Sequence, residues 1–166
     1  MSRNTAPLEF RRLTPDLLPA LERFFHDLVD ARDDVSFHPH PFTAERAGTI
    51  CSYDGRDLYY AAVRDQTMLA YGMLRGWDEG YAIPSLGIAL HASARGTGLA
   101  ATFMSFLHTA AGLSGAQQVR LTVYKNNVRA VALYRRLGYQ LAAKNDHEWV
   151  GVVTLADVRT RAAISQ

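Results

Sequence analysis

At 166 residues, 48% hydrophobic and 20% charged, the chain has the size and composition of one globular domain, read here as residues 1–166. No apolar run approaches the ~20 residues of a membrane-spanning helix, and the opening MSRNTAPLEFRR lacks the apolar stretch of a secretory leader. The net charge of +2 is the sum of −4 over Met1–Glu79, +7 over Gly80–Asn145, which holds no carboxylate, and −1 over the remainder.

In chain order, Leu8 to Leu13 reads as a first strand. Thr14 and Pro15 then suit the N-cap and first turn of a helix whose apolar face is Leu17, Leu18, Leu21, Phe24, Phe25 and Leu28. A proline-punctuated loop, VSFHPHPF, leads to a short helix capped by Thr43 and running to about Ser52. Leu58–Val63 and Met68–Trp77 read as strands joined by a turn. Asp78-Glu79-Gly80 is a tight reversal, so the next strand, Tyr81 to Leu90, should pair antiparallel, with Pro84 and Gly87 marking irregular pairing such as a bulge. Leu99–Ala111 is a mostly apolar helix with Gly112 as its stop. Val119–Val123 alternates as a strand, Asn127–Leu137 is a helix ended by Gly138, and Tyr139–Ala143 and Trp149–Leu155 are closing strands. The order β-α-α-β-β-β-α-β-α-β-β predicts an α/β fold of the α+β kind, because the central hairpins exclude a purely parallel sheet.

The segment Ala94-Arg95-Gly96-Thr97-Gly98-Leu99-Ala100 joins an apolar strand to a helix. The first amides of a helix lack intrahelical acceptors and sit at the positive end of its dipole. Glycines there let a bulky anion approach the backbone, and Arg95 adds a positive charge, so the loop reads as a phosphate cradle. The string GxxxxGK[ST] of a P-loop is absent. The dinucleotide fingerprint is formally present from Gly96 to Ala101, but the acidic ribose ligand expected ~20 residues on is missing, the next carboxylate being Asp146. The third pattern, Arg/Gln-x-x-Gly-x-Gly/Ala, is matched by Arg95–Ala100. The acid-free span reads either as a solvated basic face or as the seat of a polyanionic ligand.

About 30 residues further on, Asn127-Val128-Arg129-Ala130-Val131-Ala132-Leu133-Tyr134-Arg135-Arg136-Leu137-Gly138-Tyr139 fits N-x-x-A-x-x-L-Y-x-x-x-G-F/Y. With the glycine loop, in this order and spacing, the chain resembles the GCN5-related N-acetyltransferases. The resemblance implies that family's fold: a mixed, mostly antiparallel sheet of six to seven strands flanked by about four helices. It implies acetyl-CoA as acyl donor and no metal. Ile88, Leu90, Arg95, Gly96, Thr97, Gly98, Leu99, Ala100, Asn127, Ala130 and Arg136 are the implied cofactor contacts, with the strands at 86–90 and 119–123 splayed to admit the pantetheine arm. Asn127, Ala130 and Tyr134 share a helix face at i, i+3 and i+7. Tyr134 is then the expected general acid for a departing thiolate, although a core aromatic and, for Asn127, an N-cap are the plain structural readings.

The base that accepts the amine proton is less defined. Tyr81–Leu90 holds no carboxylate, where many family members place one. Asp78 and Glu79 are the candidates carried forward, with Glu148, His38, His40 and His91 as others. His38 and His40 in HPHP have no third ligand near for zinc. With Phe37, Phe42, Trp77 and Tyr81, they are expected to shape an acceptor pocket. The expected activity is acetyl transfer to a primary amine of a small molecule, an amino sugar or amino acid, by direct attack in a ternary complex. Protein N-termini or lysines are the alternative acceptors, and a non-catalytic acyl-CoA-binding module or a nucleic-acid binder the alternative classes. Cys51, the lone cysteine, lies outside both motifs, excludes an internal disulfide and fits a reducing, cytoplasmic location. The expected partner is the small-molecule amine alone, with no nucleic acid or membrane, for a monomer or homodimer.

Overall fold

A computed structural model of the chain describes residues 6–164. Among them, seven strands form one sheet in the order β1-β2-β3-β4-β5-β7-β6. These are β1 (Glu9–Arg12), β2 (Leu58–Arg64), β3 (Thr67–Arg75), β4 (Ser85–Leu90), β5 (Gln118–Tyr124), β6 (Gln140–Ala143) and β7 (Glu148–Thr154). The helices are α1 (Leu18–Asp30), α2 (Ala44–Cys51), α3 (Leu99–Leu113), α4 (Val128–Arg136) and α5 (Leu155–Ile164). All neighbouring strands pair antiparallel except β4 and β5, which are parallel.

Strand alternation divides the core between the two faces of the sheet. Ala70 and Leu74 of β3 pack with Phe103, Met104 and Leu107 of α3 and with Val131 of α4. Tyr71 and Met73 face the other way, into Leu21, Phe24 and Phe25 of α1 and Ile50 of α2. Met68 also faces α1, although its parity matches Ala70. The register explains this: Ala62 opposes Ala70 and Val63 opposes Met68, so Leu69 is an extra residue that flips the alternation. The bulge therefore lies in β3, and β4 pairs with β3 without a break from Ser85 to Leu90; the irregular pairing expected of the strand after the reversal is on its other edge, where β4 meets β5 at Ser85 and Arg120 alone.

Four other local expectations change. The strand after the reversal begins at Ser85, not Tyr81, because Gly76 to Tyr81 is spent on a turn held by the Gly76 carbonyl, which accepts from the Glu79 and Tyr81 amides. The helix at 99–113 runs through Gly112 and ends where Gly115 adopts a φ of +93°. Thr14 does not cap by its side chain, since its hydroxyl is engaged by Asp16. Finally, α5 follows β7 directly and raises the helix count from the expected four to five. Thr43 does cap α2, accepting from the Arg46 amide at 3.1 Å.

Two buried polar groups brace this frame. Asp57, 6% exposed, accepts the Gly76 and Trp77 amides, each at 2.9 Å, and so fixes the turn after β3. His108 of α3 is 4% exposed and shares a 2.7 Å hydrogen bond between Nε2 and the Tyr139 hydroxyl. Desolvation lowers its pKa from 6.5 to about 4. The unfolded chain thus binds this proton more tightly than the folded one. The His108 contribution to stability is complete above pH 6.5 and is lost as pH falls toward 4. About 2 kcal/mol should be gone by pH 5, and about 3 kcal/mol below pH 4. Denaturant titrations at pH 7 and pH 5 should show that loss in the wild type, and His108→Gln, which stays neutral and can still bond Tyr139, should show about 2 kcal/mol less of it.

Candidate functional site

β4 and β5 pair only at Ser85 and Arg120, where the Arg120 amide also donates to the Pro84 carbonyl at 3.0 Å. Beyond that row they separate. A cleft of about 640 Å³ opens at the separation, floored by Ile88, Ala89 and Leu90 and walled by the α3 start and by α4.

The glycine loop forms one end of this cleft. Gly96 and Gly98 have φ of +75° and +83°, and a Cβ built on either would meet nothing within 4 Å. The chain curls left-handed at both, a conformation that costs other residues strain, and leaves open space above the backbone. Thr97 turns inward instead: its hydroxyl donates to the Ala94 carbonyl at 2.6 Å and accepts the Leu99 amide at 3.3 Å. The Leu99 side chain is core, 7% exposed. Cleft contact comes from Gly96, Gly98, Ala100 and Ala101, while neither Thr97 nor Leu99 lines it. The amides at positions two and three of α3, Ala100 and Ala101, have no intrahelical acceptor, and α3 points its positive end here. Arg95 lines the cleft but is not a free charge; its guanidinium is ion-paired with Asp33. Arg129 and Arg136 add cations from α4. Open glycines, unbonded amides and the guanidiniums of Arg129 and Arg136 are a donor set that fits a diphosphate-bearing ligand.

The far wall is the α4 face. Asn127, Ala130, Leu133 and Tyr134 all line the cleft. Asn127 also caps its helix, accepting the Ala130 amide at 3.3 Å. The Tyr134 side chain is 9% exposed, and its hydroxyl has no hydrogen-bond partner among the described residues. Burial pushes its pKa up to about 12, so it holds its proton.

A second cleft of about 400 Å³ lies on the α1 side of the separation. The two clefts share Ser36, Phe37, Thr122 and Val123. His38, Glu79, Tyr81 and Glu148 line the smaller one. His38 Nδ1 faces the Asp34 carbonyl at 3.1 Å, which makes Nδ1 the donor and leaves Nε2 to accept from the Tyr124 hydroxyl at 3.2 Å. The amide of Asn145, then the ammonium of Lys144, hold the Glu148 carboxyl below its ordinary range.

The remaining expected residues lie elsewhere. Asp78 lines neither cleft, and its carboxylate accepts the Arg56 amide at 3.0 Å. Trp77 is 6% exposed and packed in the core. His40 bonds the Tyr71 hydroxyl at 2.9 Å and stacks edge-on to Phe42, both packed against Phe25. His91 ties the end of β4 to α1 through Asp27 at 3.0 Å. Ser36, Thr122 and Asn126 were not singled out beforehand; the alternation of Val119–Val123 would have placed Thr122 on the cleft face with Arg120. No group of three metal-ligating side chains occurs among the described residues. No described helix is long and apolar enough to cross a membrane.

Comparison with known proteins agrees with this geometry. The model of the acetyltransferase (GNAT) family matches residues 21–139, so the chain belongs to that family. Similar solved structures include a GCN5-related N-acetyltransferase from Kribbella flavida, 21% identical over 89% of this chain and 97% of that one, with a TM-score of 0.73. The GNAT domain of S. lividans PAT is 15% identical, covering 89% and 90%, with a TM-score of 0.76. An N-acetyltransferase from Staphylococcus aureus is 16% identical, covering 90% and 99%, with a TM-score of 0.75. These likenesses establish the GNAT fold. No curated protein sequence matches the chain.

Proposed function

We propose that the protein transfers an acetyl group from acetyl-CoA to a primary amine of a small molecule of the amino sugar or amino acid class. The observation that carries this reading is the meeting of two clefts at Phe37, Thr122 and Val123, one suited to a diphosphate and the other to a small polar molecule. Bound acetyl-CoA supplies an activated acyl thioester. Gly96, Gly98, Ala100 and Ala101 hold its diphosphate, the free edges of Ile88–Leu90 hold its arm, and Asn127 and Ala130 flank the arm from α4. Tyr134 donates a hydrogen bond to the departing sulfur.

The amine must lose a proton before it attacks, since a free amine is mostly protonated near neutrality. Of the candidate acceptors only His38, Glu79 and Glu148 line the smaller cleft. Glu148 is a weakened base, because its charge is held by Asn145 and Lys144. Glu79 sits on the turn past β3, at the end away from the shared residues. His38 follows Phe37 directly and offers Nε2 to Tyr124, which can hand on a proton. We assign the base role to this pair. Cys51 is no acyl carrier: it is buried against α1, and burial raises its thiol pKa to about 11. This supports direct attack. Thiol release from acetyl-CoA, followed over a panel of amines, should rise well above the amine-free rate for some members. Absence of any rise, with no calorimetric signal for coenzyme A, would remove the reading.

A further inference from the structure

Three residues of the smaller cleft form one row across the sheet. Arg75 of β3 is opposite Ser85 of β4, and Ser85 is opposite Arg120 of β5. Residues in register on adjacent strands present their side chains on one face. All three line the same cleft. Strands spaced about 4.8 Å apart put the two arginine Cα atoms about 10 Å apart, with a serine hydroxyl between them. Long side chains at that spacing can converge on one small group.

Neither guanidinium is neutralised. Among the described residues no carboxylate lies within 4.0 Å of Arg75 or Arg120. Arg75 makes one hydrogen bond, to the Pro39 carbonyl at 3.2 Å, which steadies it from the α1–α2 loop. The Arg120 side chain is exposed and has no protein acceptor among the described residues. The carboxylates that line the cleft do not alter this. Glu148 is paired with Lys144 at 3.3 Å, and Glu79 lies on the turn beyond the row. Two like charges held in register on one face repel each other unless an anion sits between them.

We infer that the Arg75–Ser85–Arg120 row recognises an anionic group on the acceptor, a carboxylate or a phosphate, so that the substrate is a small anionic amine. The inference rests on the acetyl-transfer reading and narrows it. The row lies at the closed end of the β4–β5 separation, two residues along each strand from the shared position at Thr122. A molecule anchored there by its anion directs its amine toward Phe37 and Thr122.

The test compares matched pairs of amines in the thiol-release assay: α-amino acids against their decarboxylated amines, and a hexosamine phosphate against the free hexosamine. The anionic member of at least one pair should be favoured about 10- to 100-fold in kcat/KM, and which pair shows it identifies the source of the anion. Arg120→Gln should abolish that preference by raising KM for the anionic amine, with coenzyme A affinity near wild type because Arg120 lies outside the larger cleft, and Arg120→Lys should restore part of it. Calorimetry of the anionic amines with coenzyme A-loaded protein is a readout independent of turnover. Saturable binding that Arg120→Gln weakens about 10-fold or more supports the row even if no amine is acetylated. Equal turnover and binding of charged and neutral members, or a preference unchanged in Arg120→Gln, overturns the inference.

Discussion

Tyr134→Phe should slow acetyl transfer about 10²- to 10³-fold while leaving coenzyme A affinity near wild type. The magnitude follows from what the phenol can do at this site. With its pKa pushed up to about 12 by burial, Tyr134 is protonated throughout the working range. A thiol near ~8.5 holds its proton far less tightly, so complete transfer from the phenol would be uphill by about 5 kcal/mol. Donating a hydrogen bond to sulfur as it gains charge needs no such transfer, and a buried donor acts in low dielectric where it is worth most. The proton that finally rests on the thiolate can come from the amine. The variant also isolates the effect cleanly. The hydroxyl bonds no protein group among the described residues, so its removal orphans nothing, and the ring keeps its contact with Tyr139 at 5.7 Å between centroids. Single-turnover thiol release, calorimetry with coenzyme A and a thermal melt together decide the matter. Wild-type rates in the variant would reject the donor role, and a fall in rate matched by a fall in affinity would mark Tyr134 as a binding residue instead.

The two motifs were legible because each encodes backbone geometry. Glycines at 96 and 98 are needed where φ is positive, and Asn127 through Tyr134 repeats at helical spacing, so both predict local shape from local residues. The succession of strands and helices along the chain followed from the same kind of signal, as turns and alternation define strands, whereas the β5-β7-β6 order in the sheet did not. What stayed hidden depends on distant partners. His40 and Phe42 looked like pocket residues by type, but both pack half-buried against Phe25 at the edge of the core, and His40 is bonded to Tyr71. Asp78 looked like a free carboxylate until the fold brought the Arg56 amide to it across 22 positions. Arg95 looked unpaired because Asp33 lies 62 residues away in sequence. The missed α5 has a weak apolar pattern and begins directly after a strand, without a turn to announce it. The Arg75–Ser85–Arg120 row has no sequence signature, since it is a matter of register among three strands.

The second large effect belongs to Gly98. Gly98→Ala should lose about 1–2 kcal/mol of stability and weaken coenzyme A binding about 10- to 100-fold. The first cost is conformational: at φ +83° a methyl group crowds the backbone, although no other group stands within 4 Å of it. The second is a matter of approach, because that open space is the surface over which the α3 amides face the cleft, and charge-assisted hydrogen bonds weaken steeply when an anion is held off. Gly48 separates the two effects. It too has nothing within 4 Å of a built Cβ, but it lies inside α2 with an ordinary helical φ and away from both clefts. Gly48→Ala should therefore gain about 0.5–1 kcal/mol and leave affinity unchanged. A thermal melt and a coenzyme A titration on the pair give the answer. If Gly98→Ala loses stability but binds as the wild type does, the ligand's diphosphate does not rest on this loop, and the assignment of the larger cleft falls with it.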